Sequence, residues 1–247
     1  MKIQEFGKGN KDTVMLLHGG GLSWWNYRDA AEWLKEHFHV VIPVLDGHAE
    51  SGRKFTSIED NAAELIALID ESCGGRVRLI GGLSLGGQIL LDMLSQRKDI
   101  CDAAIVESAS VLPSKLMAAM LGPSVKASYG LIKKEWFARA QFKSLKLKES
   151  LFEDYYRDTC LISCEDMTAI LTANQLYTLK DSVKDTQAKV YVFAGSKETG
   201  QIKRSAELIH RTIPNSGSEF MEGMYHGDFS INHSEDYARR IINILKG

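Results

Sequence analysis

Val77-Arg78-Leu79-Ile80-Gly81-Gly82-Leu83-Ser84-Leu85-Gly86-Gly87-Gln88-Ile89-Leu90 decides how the rest of the chain is read. A short apolar run enters Gly82-Leu83-Ser84-Leu85-Gly86, and an apolar, helix-compatible segment follows at once. Strand, Gly-x-Ser-x-Gly and helix in that order form the context in which a serine is presented as a nucleophile at a sharp turn. Such a turn brings the chain close to itself on both sides of the serine, and glycine, lacking Cβ, permits the approach. The following helix aims its amide-rich N-terminus at the hydroxyl, where negative charge develops during acyl transfer. The pattern alone also fits a glycine-rich turn holding an ordinary serine, so the remaining chain has to decide.

The 247 residues suffice for one large domain or a domain with an insertion. Hydrophobic residues make up 44% and charged residues 25%, an ordinary globular composition rather than a disordered one. Thirty basic against 32 acidic residues give a formal charge of −2, which points away from nucleic acid or a membrane surface as partner. No apolar core of signal-peptide length opens the chain and no run reaches membrane-span length, so a cytoplasmic location is the expectation. The 4 cysteines, at 73, 101, 160 and 164, lack zinc-site spacing and read as reduced, mostly buried thiols.

Thr13 to Leu17 is an apolar run suited to a parallel strand covered on both faces, and it ends in His18-Gly19-Gly20-Gly21. That loop can aim backbone N–H groups at an oxyanion, with His18 in a structural role. Asn26 is the expected N-cap of a helix reaching about His37. A strand at Val40 to Val44 leads into Leu45-Asp46-Gly47-His48-Ala49-Glu50-Ser51, where His48 also reads as structural. Ser57-Ile58-Glu59-Asp60 caps a helix that Gly74-Gly75 stops. Beyond the serine turn, another strand covers Asp102 to Ala109. Strands and helices thus alternate at βαβ lengths, predicting a mostly parallel sheet with helices on both faces.

From 113 to 186 no strand pattern is present. Leu116 to Leu121 predicts a helix stopped at Gly122-Pro123, and a second segment near Ala127 to Phe142 carries Trp136 and Phe137. Ser150-x-x-Glu153 and Ser163-x-x-Asp166 predict two further capped helices. The division is therefore a core of residues 1–112 and 187–247 with a helical lid, 113–186, inserted over the strand ends. Trp136 and Phe137 are its candidate substrate contacts. Alternation resumes at Lys189 to Gly195, with a helix from Ile202 to Ile213, a short strand at Glu219 to Glu222 and a terminal helix capped by Ser234.

Ser84, an acid after a late strand and His226 after the last strand complete the pattern. Together with Leu17-His18-Gly19-Gly20, Leu45-Asp46-Gly47-His48 with Ser51, Gly195-x-x-Glu198 and His226-Gly227, they make nearly the whole chain resemble the α/β-hydrolase superfamily. The loop at 46–51 is shorter than that family's Asp-x-x-Gly-His-Gly-x-Ser pattern, and Tyr225 stands where many members have glycine. The resemblance implies an α/β-hydrolase fold and a Ser84, Glu198, His226 triad. Ser84 would attack an acyl carbonyl, His226 would carry the proton, and Glu198 would orient the imidazole. The N–H groups of Gly20 and Leu85 would form the oxyanion hole. Glu107, after the strand ending near Val106, and Asp228, just past His226, are rival acids.

No metal or organic cofactor is needed for this chemistry. The expected substrate is a small or medium carboxylic ester, and the basic stretch Lys133 to Lys148 suits an anionic one. Carbon–carbon, thioester or lactone hydrolysis, or acyl transfer, are rivals on the same scaffold. A ligand-binding protein with a vestigial triad is a rival of another class. The sequence leaves the oligomeric state open.

Overall fold

The structure, a computed structural model, describes residues 1–246. Its centre is a 7-stranded sheet in the order β1-β3-β2-β4-β5-β6-β7. The strands are β1 (Ile3–Phe6), β2 (Thr13–Leu17), β3 (His39–Pro43), β4 (Val77–Leu83), β5 (Cys101–Glu107), β6 (Lys189–Gly195) and β7 (Ser216–Met221). All neighbours are parallel except β1, which runs antiparallel to β3.

The strand periodicity of two splits the core into two layers. Met15, Leu17, Ile80, Val106 and Val192 face one side, where they pack with α2 (Ile58–Ser72) and α3 (Leu85–Gln96). Val14, Leu16, Leu79, Ile105 and Phe193 face the other, where α1 (Arg28–Leu34) lies. Because both faces are covered, β2 and β4 read as unbroken apolar runs. Each fully buried aliphatic side chain here contributes about 1.5–3 kcal/mol. Ser57 caps α2 as expected, its side chain accepting from the Asp60 N–H.

Between β5 and β6 the chain is helical: α4 (Lys115–Ile132), α5 (Glu135–Leu145), α6 (Phe152–Leu161) and α7 (Cys164–Leu176). The expected stop at Gly122-Pro123 is absent, since α4 runs through Pro123. Proline removes one helical donor, that to Ala119, but Ser114 caps the helix from the front and α7 packs along its length. The break falls instead at Lys133-Lys134. Ser163 caps α7, whereas Ser150 sits in a 3₁₀ turn and caps nothing.

The chain closes with α8 (Gly200–Thr212), the short α9 (Asp228–Ile231) and α10 (Ser234–Lys246), whose Tyr237 and Ile241 are buried. Three further expectations need correction. Asn26 lies inside a 3₁₀ turn, Trp24–Tyr27, and caps no helix. Only Cys101 of the cysteines is buried, the other three being partly accessible. β1, a half-buried edge strand, has no counterpart in the sequence reading. Among the described residues no helix is long and apolar enough to cross a membrane.

Candidate active site

Parallel strands put their carboxyl ends on one edge of the sheet, and ligands bind in α/β proteins at that edge. The segments leaving β2, β4, β5, β6 and β7 there carry, in order, Gly20, Ser84, Ser108, Glu198 and His226. Ser84 occupies the step from β4 to α3 with φ 52° and ψ −109°, a conformation strained for a residue with a side chain. Neighbouring chain holds it there. Its N–H donates to the Glu107 carbonyl at 2.8 Å and its own carbonyl accepts from Gln88 at 3.0 Å. A Cβ on Gly82 would overlap the Gly86 carbonyl, and one on Gly86 would overlap the carbonyl of Leu17. Both glycines are therefore steric requirements of this turn.

Glu198 and His226 meet at 2.7 Å, the ring Nδ1 against carboxylate Oε2. The other carboxylate oxygen accepts from Ser108 Oγ at 2.7 Å and from the Gly195 N–H at 2.9 Å. Burial pushes the Glu198 carboxyl up, but the hydrogen bonds from His226, Ser108 and Gly195 outweigh it and hold the group below its ordinary value. Glu198 is thus an anion aimed at one ring nitrogen, leaving Nε2 of a half-exposed imidazole free to exchange a proton. Ser84 and His226 line the same cavity, and no hydrogen bond joins them among the described residues. Contacts of this kind often close only around a bound substrate.

The rival acids are placed elsewhere. Glu107 is buried behind the site, one oxygen accepting from the Ser230 N–H at 3.2 Å and the other unpartnered. Asp228 turns to its own loop, accepting from the Tyr225 N–H at 3.2 Å and from Asn232 at 2.6 Å.

The loop after β2 is fixed from three sides. Asn26 accepts from the Gly19 N–H at 3.2 Å, and His48 Nε2 accepts from the Gly21 N–H at 3.0 Å. His18 Nε2 accepts from the Leu45 N–H at 3.0 Å, which leaves its Nδ1 to donate to the Gly19 carbonyl at 2.9 Å. Both histidines are structural and neutral. Burial and the neighbouring His48 lower His18 well below its usual range, and burial lowers His48 to about 4. Between the two tethered glycines, the Gly20 N–H has no partner among the described residues, nor does that of Leu85, first residue of α3. A Cβ on Gly20 would lie 3.6 Å from the Leu85 side chain, so the two residues are neighbours.

Gly20, Ser84, Glu198 and His226 border a cavity of about 650 Å³. Its wall is mainly apolar, with Leu22, Ile132, Ile162, Met167, Ile170 and Leu171 supplying much of it. Trp136 and Phe137 are not in that wall. They occupy the first turn of α5, stacked edge to face at 5.7 Å, with Trp136 66% exposed. Only the last turns of α5 reach the cavity, through Gln141, Ser144 and Leu145. Sequence reading missed the supporting Ser108, whose only signal is its place at the end of β5. It also missed Asn26 as a loop tether, having spent that residue on a helix cap.

Solved structures with this architecture are numerous. The chain superposes on an enol-lactonase from Burkholderia xenovorans with a TM-score of 0.83, covering 100% of this chain and 96% of that one at 14% identity. For a thermophilic esterase from Thermogutta terrifontis the TM-score is 0.78, with 99% and 92% covered at 19% identity. A bromoperoxidase from Bacillus anthracis gives 0.84, with 99% and 95% covered at 16% identity. At such identities the likeness establishes the fold. The sequence itself goes further: the model of the Alpha/beta hydrolase family matches residues 14–240, which is nearly the whole sheet together with its helices, and the chain belongs to that family.

Proposed function

We propose that this protein is a serine hydrolase that cleaves small or medium carboxylic esters through an acyl-enzyme. Ser84 Oγ attacks the acyl carbonyl while His226 Nε2 takes its proton and then delivers it to the departing alcohol. Glu198 holds the imidazole in the needed tautomer and offsets its positive charge. The Gly20 and Leu85 N–H groups receive the oxyanion, each donor worth ~3 kcal/mol in comparable sites. Water on the same path releases the acid. The helical segment 113–186 serves as a lid whose apolar side receives the acyl chain.

The observation that carries this reading is the 2.7 Å contact of His226 with a buried, multiply hydrogen-bonded Glu198, facing the same cavity as the strained Ser84. The names of the esterase and the enol-lactonase agree with it, since a lactone is an ester closed on itself. A fluorophosphonate probe is expected to label the protein once, at Ser84. Ser84→Ala is expected to abolish labelling and nitrophenyl ester turnover together, and turnover surviving above a few per cent overturns the proposal.

A further inference from the structure

Two exposed lysines stand at the mouth of the mainly apolar cavity. Lys146 and Lys197 both line it, and their ammonium groups lie 5.9 and 5.1 Å from the centre of the Tyr225 ring, next in sequence to His226. Among the described residues neither lysine is paired with a carboxylate. The carboxylate that shares the cavity lining, Glu198, is already engaged by His226, Ser108 and Gly195. The mouth is therefore cationic.

Both lysines are fixed at the backbone to the segment that carries His226. The Lys197 N–H donates to the Met224 carbonyl at 3.0 Å. The Lys146 carbonyl accepts from Asn232 Nδ2 at 2.8 Å, and the same Asn232 side chain accepts from the Lys148 N–H at 3.0 Å. Lys146 also holds φ 59°, a left-handed conformation that glycine or asparagine adopts more easily. A lysine in that position, clamped by a side chain of another element, has a fixed place beside the site.

Their placement also selects an end of the substrate. The residue that protonates the leaving group must stand on the leaving-group side, and both lysines lie over the ring of Tyr225, its neighbour in sequence. Part of the apolar wall lies beside the loop after β2, where Ile170 packs against Gly20. We propose that the substrate's alcohol portion carries an anionic group, a carboxylate or phosphate, and that Lys146 and Lys197 bind it while the acyl portion occupies the apolar wall. This rests on reading Ser84 and His226 as nucleophile and base.

A matched pair of esters tests it: 4-nitrophenyl butanoate and 3-carboxy-4-nitrophenyl butanoate, which share an acyl group and differ by one carboxylate. With kcat/KM normalised to the hydroxide rate of each ester, the anionic-to-neutral ratio is expected to fall about tenfold or more in Lys146→Met/Lys197→Met. It is also expected to fall several-fold in the unaltered protein when salt rises from about 20 to about 500 mM, a measurement that needs no variant to fold. Calorimetric binding of 5-hydroxy-2-nitrobenzoate and of 4-nitrophenol to Ser84→Ala, with and without the lysine changes, separates the two readings. Lysine-dependent binding of the nitrobenzoate without any ester turnover leaves the anion site standing and removes the hydrolase reading. Turnover with a ratio insensitive to both the lysines and salt leaves the hydrolase and overturns the anion site. Binding of 5-hydroxy-2-nitrophenyl phosphate to Ser84→Ala, set against that of 5-hydroxy-2-nitrobenzoate, then distinguishes phosphate from carboxylate.

Discussion

Two glutamates lie near His226, and their surroundings shift them in opposite directions. Glu198 receives three hydrogen bonds and stays ionised. Glu107, 2% exposed with a single backbone donor, is pushed up to about 7 by burial, despite the Ser230 contacts that lower it. Replacing the orienting acid by its amide keeps the shape and favours the wrong tautomer, a loss on the order of 10⁴ in the best-studied triad. Glu198→Gln is expected to lose at least a few hundredfold in kcat while remaining folded, with Glu107→Gln far milder; the reverse ranking moves the acid to Glu107. Stability separates the pair again. Between about 4.5 and about 7 the unfolded chain releases the Glu107 proton while the folded one keeps it, so stability is lost as pH rises through that window. Glutamine has no proton to hold. The stability of Glu107→Gln relative to the unaltered protein is therefore expected to improve by about 2–3 kcal/mol from pH 5 to pH 8, read from denaturant midpoints.

At the scale of elements, the insert divides into two helices tied directly to the core, α6 and α7, and two laid over them, α4 and α5, of which α5 is held at its end through Lys146 and Lys148. The buried Trp25 indole donates to Asp158 of α6 at 2.9 Å, and Arg28 pairs with Asp154 at 2.8 Å. Asn174 of α7 exchanges hydrogen bonds with the buried Gln88 of α3. Asp166, also on α7, accepts from the Phe55 N–H at 2.9 Å. These ties fix α6 and α7 to the core, and α4 and α5 lie over them. A cavity wall on a fixed helix discriminates by size. Met167→Trp is expected to lower kcat/KM for long-chain nitrophenyl esters by tenfold or more relative to acetate, since one methylene in an apolar pocket is worth about 1–3 kcal/mol. Trp136→Ala is expected to leave the chain-length profile unchanged, because that ring is exposed and forms no part of the cavity wall. What the sequence revealed and what it hid follow the same division. β2, β4 and β6 were legible because strands buried on both faces are continuous apolar runs. β1 was not, because a half-buried edge strand of 4 residues carries neither a run nor a long alternation. Ser84, Glu198 and His226, which the structure brings to one cavity, are singled out by local motifs and chain order. The cavity wall was not, because it is set by long-range pairs such as Trp25 with Asp158, and by a helix that continues past Pro123.

For the whole molecule, four titratable groups buried around the site, His18, His48, Glu107 and Glu198, are shifted from their ordinary values, and their linkage predicts how they respond to acid. His48 takes its proton at about 4 when folded and at 6.5 when unfolded, so its contribution is lost as pH falls from 6.5 to 4. His18, lowered well below the same reference, acts with the same sign. Glu107 opposes them, regaining stability as pH falls from about 7 to 4.5. Glu198, held below its ordinary value, begins to lose stability only beneath 4.5. The opposing contributions overlap through mildly acidic pH, and below about 4.5 the compensation from Glu107 is exhausted while the other losses continue. A gently sloping stability profile that steepens below about pH 4.5 is the expected form. His48 is the group to test, because its protonation would also remove the acceptor for the Gly21 N–H and release the loop that presents Gly20. In His48→Gln the amide oxygen can still accept that N–H without titrating. Its stability is expected to lose up to about 3 kcal/mol less than the unaltered protein between pH 6.5 and 4, measured by urea unfolding at each pH. Equal acid slopes in the two proteins would show that His48 is not held neutral. A lower kcat for the variant near neutrality with an unchanged KM would instead place the histidine's main role in shaping the loop that presents Gly20.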